Sequence, residues 1–174
     1  MPGISLQLIQ RGNNRQACFF SDEGRHAYLT CRDDYARSNA YQDHAYVLMT
    51  DHLHLRISSA DDTGPGRLVK ALRQRSVRSV NRRCRHSGTL CEGRFRSCLL
   101  ADERYLHACQ RSIELNPMCA RIVGDPAAYR WSSHRGHAQG EAAPVIQSHC
   151  RYQALGAGFR WISGMELAQR TKWM

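Results

Sequence analysis

Apolar and polar residues alternate near the middle of the chain, and the run at residues 44–58 predicts a β-strand. Within it, Leu53 and Leu55 alternate with His52 and His54. Side chains two residues apart in a strand share a face, so the two histidines should project together while the leucines enter the core.

The rest of the pattern predicts strands and helices in alternation. Strand character is expected at residues 4–10, 17–20 and 90–100, and a turn at 11–14. Helices are expected at 22–38, 67–83 and 102–116, the last one capped by Asp102 and ended by Pro117. This order favours an α+β fold, in which helices cover an antiparallel sheet.

The spacing of His52 and His54 indicates metal chemistry. Two imidazoles on one face of a strand can hold a divalent metal if a third ligand arrives from another element. A His-x-His pair also occurs simply as two polar residues on a strand face, so the spacing alone leaves both interpretations open.

Charge adds a second functional indication. The chain carries a formal net charge of +10, and residues 67–96 contain ten basic side chains against one acid, Glu92. Arginine is suited to forked contacts with phosphate, so we expect nucleic acid rather than a membrane as partner, although basic runs also occur as solvated helix faces. The candidate DNA-binding residues are Arg11, Asn13, Asn14, Lys70, Arg73, Arg78, Arg82, Arg94 and Arg96.

Length and composition indicate one domain with a real core, since 42% of the 174 residues are hydrophobic. No stretch approaches the ~20 apolar residues of a membrane span, and the N-terminus lacks a signal pattern, so we expect a cytoplasmic protein. None of the eight cysteines are in CxxC spacing, which favours free thiols over a zinc site.

Six motifs occur in a characteristic order, and together they resemble the REP-associated tyrosine transposases, relatives of the single-tyrosine HUH transposases of small insertion sequences. The motifs are Gln10–Gln16, His44–Met49, His52–Leu55, Gly88–Leu90 with Glu92–Phe95, Ile113–Pro117 and Tyr129–Ser133. The resemblance implies a transposase-like domain at 1–156 and a divergent tail at 157–174.

This resemblance implies a ferredoxin-like fold that cleaves and joins single-stranded or hairpin DNA. A tyrosine would attack the DNA phosphorus, and a divalent metal, magnesium or manganese, would sit on His52 and His54. The family pattern places the tyrosine at position 112 and a third metal ligand at Asn116. An equally open interpretation makes Asn116 a helix cap before Pro117.

The chain departs from that pattern at Ser112, where tyrosine is expected. Tyr105 lies on a similar helix face but about 10 Å away along the axis, so we expect it to pack rather than substitute. Three hypotheses follow: an impaired transposase, an inactive hairpin-binding module, and a metal-dependent hydrolase that uses Asp51. We disfavour the last one because Asp51 should point away from its neighbour His52.

Overall fold

A four-stranded antiparallel sheet organises the protein in a computed structural model, which describes residues 5–38, 41–59, 66–72, 74, 96–100 and 103–140. The strands are β1 (Ser5–Arg11), β2 (Tyr41–Leu48), β3 (His52–Ser59) and β4 (Arg96–Leu100). The helices are α1 (Asp22–Ser38), α2 (66–72), α3 (Glu103–Cys119) and α4 (His134–Gln139). The strand order β2-β3-β1-β4 is the ferredoxin-like arrangement and confirms the predicted α+β class.

The predicted single strand at 44–58 is wrong, because the chain reverses inside it. β2 and β3 form a hairpin, and the backbone N–H of Met49 donates to the carbonyl of His52 across the turn, at 2.9 Å. An apolar run shows that a segment is buried but not where it turns, so only the polar pair Thr50 and Asp51 marked the reversal.

The short strand predicted at 17–20 is also wrong. Cys18 and Phe19 are buried, but their backbone N–H groups donate to the carbonyl of Thr50 in the hairpin turn, at 2.7 and 3.2 Å. The segment is therefore a loop that holds the turn in place.

The two faces of the sheet carry different residues, as the alternation predicts. Leu55 is in register with Tyr46, whose ring lies 4.2 Å under the guanidinium of Arg32 in α1. On the opposite face, Arg56 donates to the carbonyl of Leu106 and to Gln110 in α3. α1 and α3 therefore cover opposite faces, and the histidines lie on the face covered by α3.

α3 continues through Pro117 to Cys119, so the predicted end at Asn116 is wrong. Because the carbonyl of Asn116 accepts an N–H from Ala120 at 2.9 Å, this residue does not cap the helix. A proline removes one helical donor, but packing can hold the helix together despite that loss. The predicted cap Asp102 lies outside the described residues.

The segment before α4, read as turns from the sequence, covers the free edge of β2. The backbone N–H of Leu48 donates to the carbonyl of Trp131, and the hydroxyl of Tyr129 donates to the carbonyl of Leu48. Ser133 bonds both backbone groups of Tyr46. These bonds satisfy an edge that would otherwise offer unpaired groups for pairing with another chain.

The predicted bounds of α1 and the predicted core positions at the start of α2, Leu68, Val69 and Leu72, are confirmed. The described cysteines are free thiols, and no helix in the described part of the chain is long and apolar enough to span a membrane. The boundary predicted at residue 156 lies outside the described residues.

Candidate metal and nucleic-acid site

His52 and His54 open β3 and project from the face that α3 covers. Their ring centroids are 5.2 Å apart, with the ring planes inclined by 80°, and both side chains are half-buried. The predicted juxtaposition of the two imidazoles is therefore observed, at a separation that suits two ligands of one ion.

Each imidazole has a polar partner at Nδ1. His52 Nδ1 lies 2.7 Å from Asp51 Oδ1, and His54 Nδ1 lies 3.4 Å from Nε2 of Gln7 in β1. The expectation that Asp51 points away from His52 is wrong, because Asp51 belongs to the hairpin turn and not to the strand. Both contacts are made at Nδ1, on the side of each ring away from Nε2.

The electrostatics of the pair favour neutral imidazole at His54. Burial, followed by the nearby charges of His52 and Arg11, lowers the pKa of His54 to about 4. Burial raises the pKa of the Asp51 carboxyl, but its hydrogen bond with His52 and the charges of His52 and Arg11 together outweigh that effect, so the pKa lies below its usual range. Neutral imidazole is the form that binds metals.

The three candidate residues of α3, together with Cys109, lie in one row along the helix. Tyr105, Cys109, Ser112 and Asn116 follow one another at i+4 and i+3 spacings, which keep side chains on one face. Tyr105 is 66% exposed, Ser112 is exposed and Asn116 is half-buried.

Cys109 locates this row relative to the sheet. The Cys109 thiol is buried, and burial is the main reason that its pKa is raised to about 12, with the charge of Arg56 acting against the rise. Arg56 contacts Gln110, the next residue of α3, so the row borders the sheet face that carries Arg56 and the two histidines.

The third metal ligand stays a prediction. No group of three His, Cys, Asp or Glu side chains suited to a metal occurs in the parts of the chain that the structure describes. Asn116 is outside that set of residue types, so its role as a ligand is a matter for proposal.

Two of the candidate DNA-binding arginines lie on the same sheet face as the histidines. Ile9 is in register with His54 on one side and with Arg96 on the other, while Arg11 is in register with His52. Side chains in register share a face, and both arginines are exposed.

The other candidates are more scattered. Asn13 and Asn14 are exposed in a 3-10 turn after β1. Gly12 opens this turn, where a Cβ would lie 1.9 Å from the carbonyl oxygen of Gln16. Lys70 is exposed on α2. The remaining four candidates, Arg73, Arg78, Arg82 and Arg94, lie outside the described residues.

Sequence reasoning missed a buried polar network that joins α3 to its surroundings. Arg56 donates to Gln110 at 2.9 Å, and Gln110 donates to Glu114 at 3.4 Å. Glu114 also accepts a hydrogen bond from Ser133 at 3.0 Å and contacts His137 of α4. Only the helical spacing of Gln110 and Glu114 was visible in the sequence; their partners lie in distant segments.

Three comparisons relate the chain to known proteins. Residues 1–97 match the family model described as transposase IS200 like. No curated protein is significantly similar to the chain in sequence. The fold is similar to a solved structure of a REP-associated tyrosine transposase bound to a REP hairpin, with a TM-score of 0.63, 17% identity, and coverage of 94% of this chain and 95% of that one.

A second solved structure, of a Deinococcus radiodurans protein described as a transposase, aligns over a smaller region. It has a TM-score of 0.47 and 22% identity, and it covers 63% of this chain and 88% of its own.

Proposed function

The chain belongs to the IS200-like transposase family, and from this premise we propose that it binds single-stranded or hairpin DNA beside a metal on His52 and His54. We further propose that it does not cleave this DNA efficiently, because Ser112 occupies the position of the nucleophile. The observation that carries the proposal is the pair of half-buried imidazoles on one sheet face, below the helix that bears Ser112.

The donor set fits a divalent metal, magnesium or manganese. His52 and His54 would supply two nitrogen ligands, and the amide oxygen of Asn116 would supply an oxygen. Transposases of this family are generally metal-dependent. A metal bound there supplies Lewis acidity that polarises a scissile phosphate.

The course of α3 supports the part given to Asn116. Gln110 contacts Arg56 of β3. One turn later, Glu114 contacts Ser133, and Ser133 is hydrogen-bonded to Tyr46. Tyr46 is in register with Leu55, the residue before Arg56 in β3. α3 therefore advances along β3 from Arg56 toward His54. Asn116 lies about 9 Å beyond Gln110, and His54 lies about 7 Å beyond Arg56, so the two are at similar levels.

Position 112 explains the impairment. Ser112 precedes Asn116 by one turn in the same row. A side chain at position 112 would therefore approach the metal that His52, His54 and Asn116 would hold. A serine hydroxyl reaches several ångströms less far than a phenol, and it ionises less readily than a phenol of pKa ~10. A phosphate placed for tyrosine would therefore be out of its reach.

Charge on the sheet face supports DNA as the partner. Arg11 and Arg96 flank the histidine pair on the same face, where they can contact successive phosphates. The structurally similar REP-associated transposase is bound to a REP hairpin, and we propose the same class of ligand here.

The proposal is tested by separating binding from cleavage. A labelled DNA hairpin with a single-stranded flank is incubated with the unsubstituted protein, Ser112→Tyr or Ser112→Phe, with and without Mn²⁺. Gel shift measures binding, and a denaturing gel measures covalent adducts. We expect all three proteins to bind, and only Ser112→Tyr with metal to form an adduct.

The phenylalanine variant is the matched control, since it restores the ring without the hydroxyl. Failure of the unsubstituted protein to bind any hairpin would contradict the proposed function. An adduct formed by the unsubstituted protein would contradict the impairment, and its loss in Tyr105→Phe would assign the nucleophile to Tyr105.

One observation favours a second candidate function, hydrolysis of a phosphodiester by metal-activated water. The contact of Asp51 with His52 removes the geometric objection to the hydrolase hypothesis. This function predicts DNA cleavage by the unsubstituted protein with no covalent adduct, and loss of that cleavage in Asp51→Ala.

A further inference from the structure

The two histidines are each oriented by a neighbour from a different part of the fold. We infer that Asp51 and Gln7 are positioning residues that hold His52 and His54 with both Nε2 atoms toward one ion. The inference rests on the proposed metal site and assigns it two residues that do not themselves contact the metal.

Asp51 fixes the tautomer of His52. Its carboxylate lies 2.7 Å from His52 Nδ1, a distance at which it accepts the Nδ1 proton. With the proton on Nδ1, the lone pair of Nε2 is available for a metal. A carboxylate behind a histidine ligand also makes that ligand more basic.

The turn that carries Asp51 is itself anchored. The backbone carbonyl of Asp51 accepts a hydrogen bond from the N–H of Gly12 at 2.8 Å and another from the Sγ–H of Cys18 at 3.3 Å. Asp51 is thereby tied to the end of β1 and to the loop after it. A residue held from two sides can fix the ring of His52 more firmly than a free surface carboxylate can.

Gln7 acts on His54 from the neighbouring strand. It is in register with Arg56, so its amide reaches His54 diagonally on the same face, with Nε2 placed 3.4 Å from His54 Nδ1. A half turn of the amide presents Oε1 instead, which accepts a proton on Nδ1. Metal binding at His54 Nε2 would select this orientation.

Two measurements on the full chain test the inference. The first is the ¹⁵N NMR signature of the imidazoles in metal-free protein at about pH 8, above the ordinary histidine pKa of ~6.5. We expect His52 to carry its proton on Nδ1, and this preference to weaken in Asp51→Ala but not in Asp51→Asn, whose amide oxygen can still accept.

The second measurement is Mn²⁺ affinity by titration calorimetry. We expect Asp51→Ala and Gln7→Ala to bind the ion about 10- to 100-fold more weakly, and Asp51→Asn to recover part of the loss. Asp125→Ala and Gln42→Ala remove an exposed carboxylate and an exposed amide elsewhere, and they should bind as the unsubstituted protein does. Circular dichroism verifies that each variant is folded.

The outcomes separate this inference from the proposed function. Unchanged Mn²⁺ affinity in Asp51→Ala and Gln7→Ala, or a proton found on Nε2 of His52, would overturn the positioning role and leave the metal site standing. No Mn²⁺ binding by the unsubstituted protein would overturn the metal site and the inference together.

Discussion

Glu114 of α3 accepts a hydrogen bond from Ser133 at a point that solvent does not reach, and this contact joins the helix to the segment along β2. Burial by itself raises the pKa of Glu114, but the close contacts of its carboxylate with His134, His137 and Ser133 together outweigh that effect and leave the pKa below its usual range. The carboxylate is therefore a charged centre around which α3, α4 and the edge of the sheet are assembled.

Replacing this carboxylate should destabilise the fold. Glu114→Ala leaves several buried donors without an acceptor, so we expect a loss of about 3–5 kcal/mol in the free energy of unfolding, measured with urea. Glu114→Gln keeps one acceptor oxygen and should therefore lose less stability than Glu114→Ala. Gln139→Ala alters an exposed residue at the end of α4 and should change stability by less than about 0.5 kcal/mol. Equal stabilities of Glu114→Ala and the control would contradict the role given to the network.

Local pattern was sufficient for much of the fold. α1 has the bounds that periodicity predicts, and the shared face of His52 and His54 follows from strand geometry alone. The hairpin turn at Met49–Asp51 was missed because only two polar residues, Thr50 and Asp51, interrupt the apolar run there. α3 was ended too early because Pro117 normally stops a helix, whereas here tertiary packing continues it.

The partners of the site residues lie beyond what local pattern can reach. Gln7 meets His54 because β1 pairs with β3, a contact between residues 47 positions apart. The edge-covering role of the Tyr129–Ser133 segment likewise depends on where α3 delivers the chain. Such contacts follow from topology and register, which hydrophobic spacing does not specify.

The buried ion pair of Asp43 and Arg32 should give the protein a pH-dependent stability. The two side chains meet at 3.0 Å, and burial raises the pKa of Asp43 to about 6 although Arg32 acts to lower it. The folded state thus holds a proton that the unfolded chain, with a carboxyl pKa of ~3.9, releases earlier. Stability from this group is greatest below about pH 4 and falls as pH rises to about 6.

Asp43→Asn isolates this effect, since the amide does not titrate. The free energy of unfolding of the unsubstituted protein, minus that of Asp43→Asn, should fall by on the order of 2–3 kcal/mol between pH 4 and pH 7 and then level off. Urea unfolding at a series of pH values measures it. A difference that stays constant with pH, or rises, would show that the pKa of Asp43 is not raised in the folded protein.

The core face of β3 should be far more sensitive to truncation than the outer edge of the sheet. Leu55 is 1% exposed, whereas Leu99 of β4 is 57% exposed. Leu55→Ala should therefore cost about 2–5 kcal/mol through lost burial and the cavity that remains, and Leu99→Ala should cost less than about 0.5 kcal/mol. Thermal or urea unfolding of the two variants compares one substitution at two depths, and similar losses at both sites would contradict the assignment of the core.

Arg96 should contribute to DNA binding through charge and not through sequence recognition. Arg96 is exposed in β4 and lies on the histidine face, because its partner in register, Ile9, is also in register with His54. Arg96→Ala should therefore weaken binding to every single-stranded or hairpin DNA by a similar factor. If it neutralises one phosphate, the slope of log affinity against log salt should decrease in magnitude by about 0.7. Fluorescence anisotropy over a range of salt concentrations measures both quantities.

Arg37→Ala is the matched control, because Arg37 is an exposed arginine in the last turn of α1, the helix on the opposite face of the sheet. An equal change in slope for both variants would indicate that the overall positive charge binds DNA and that the histidine face has no special part in it.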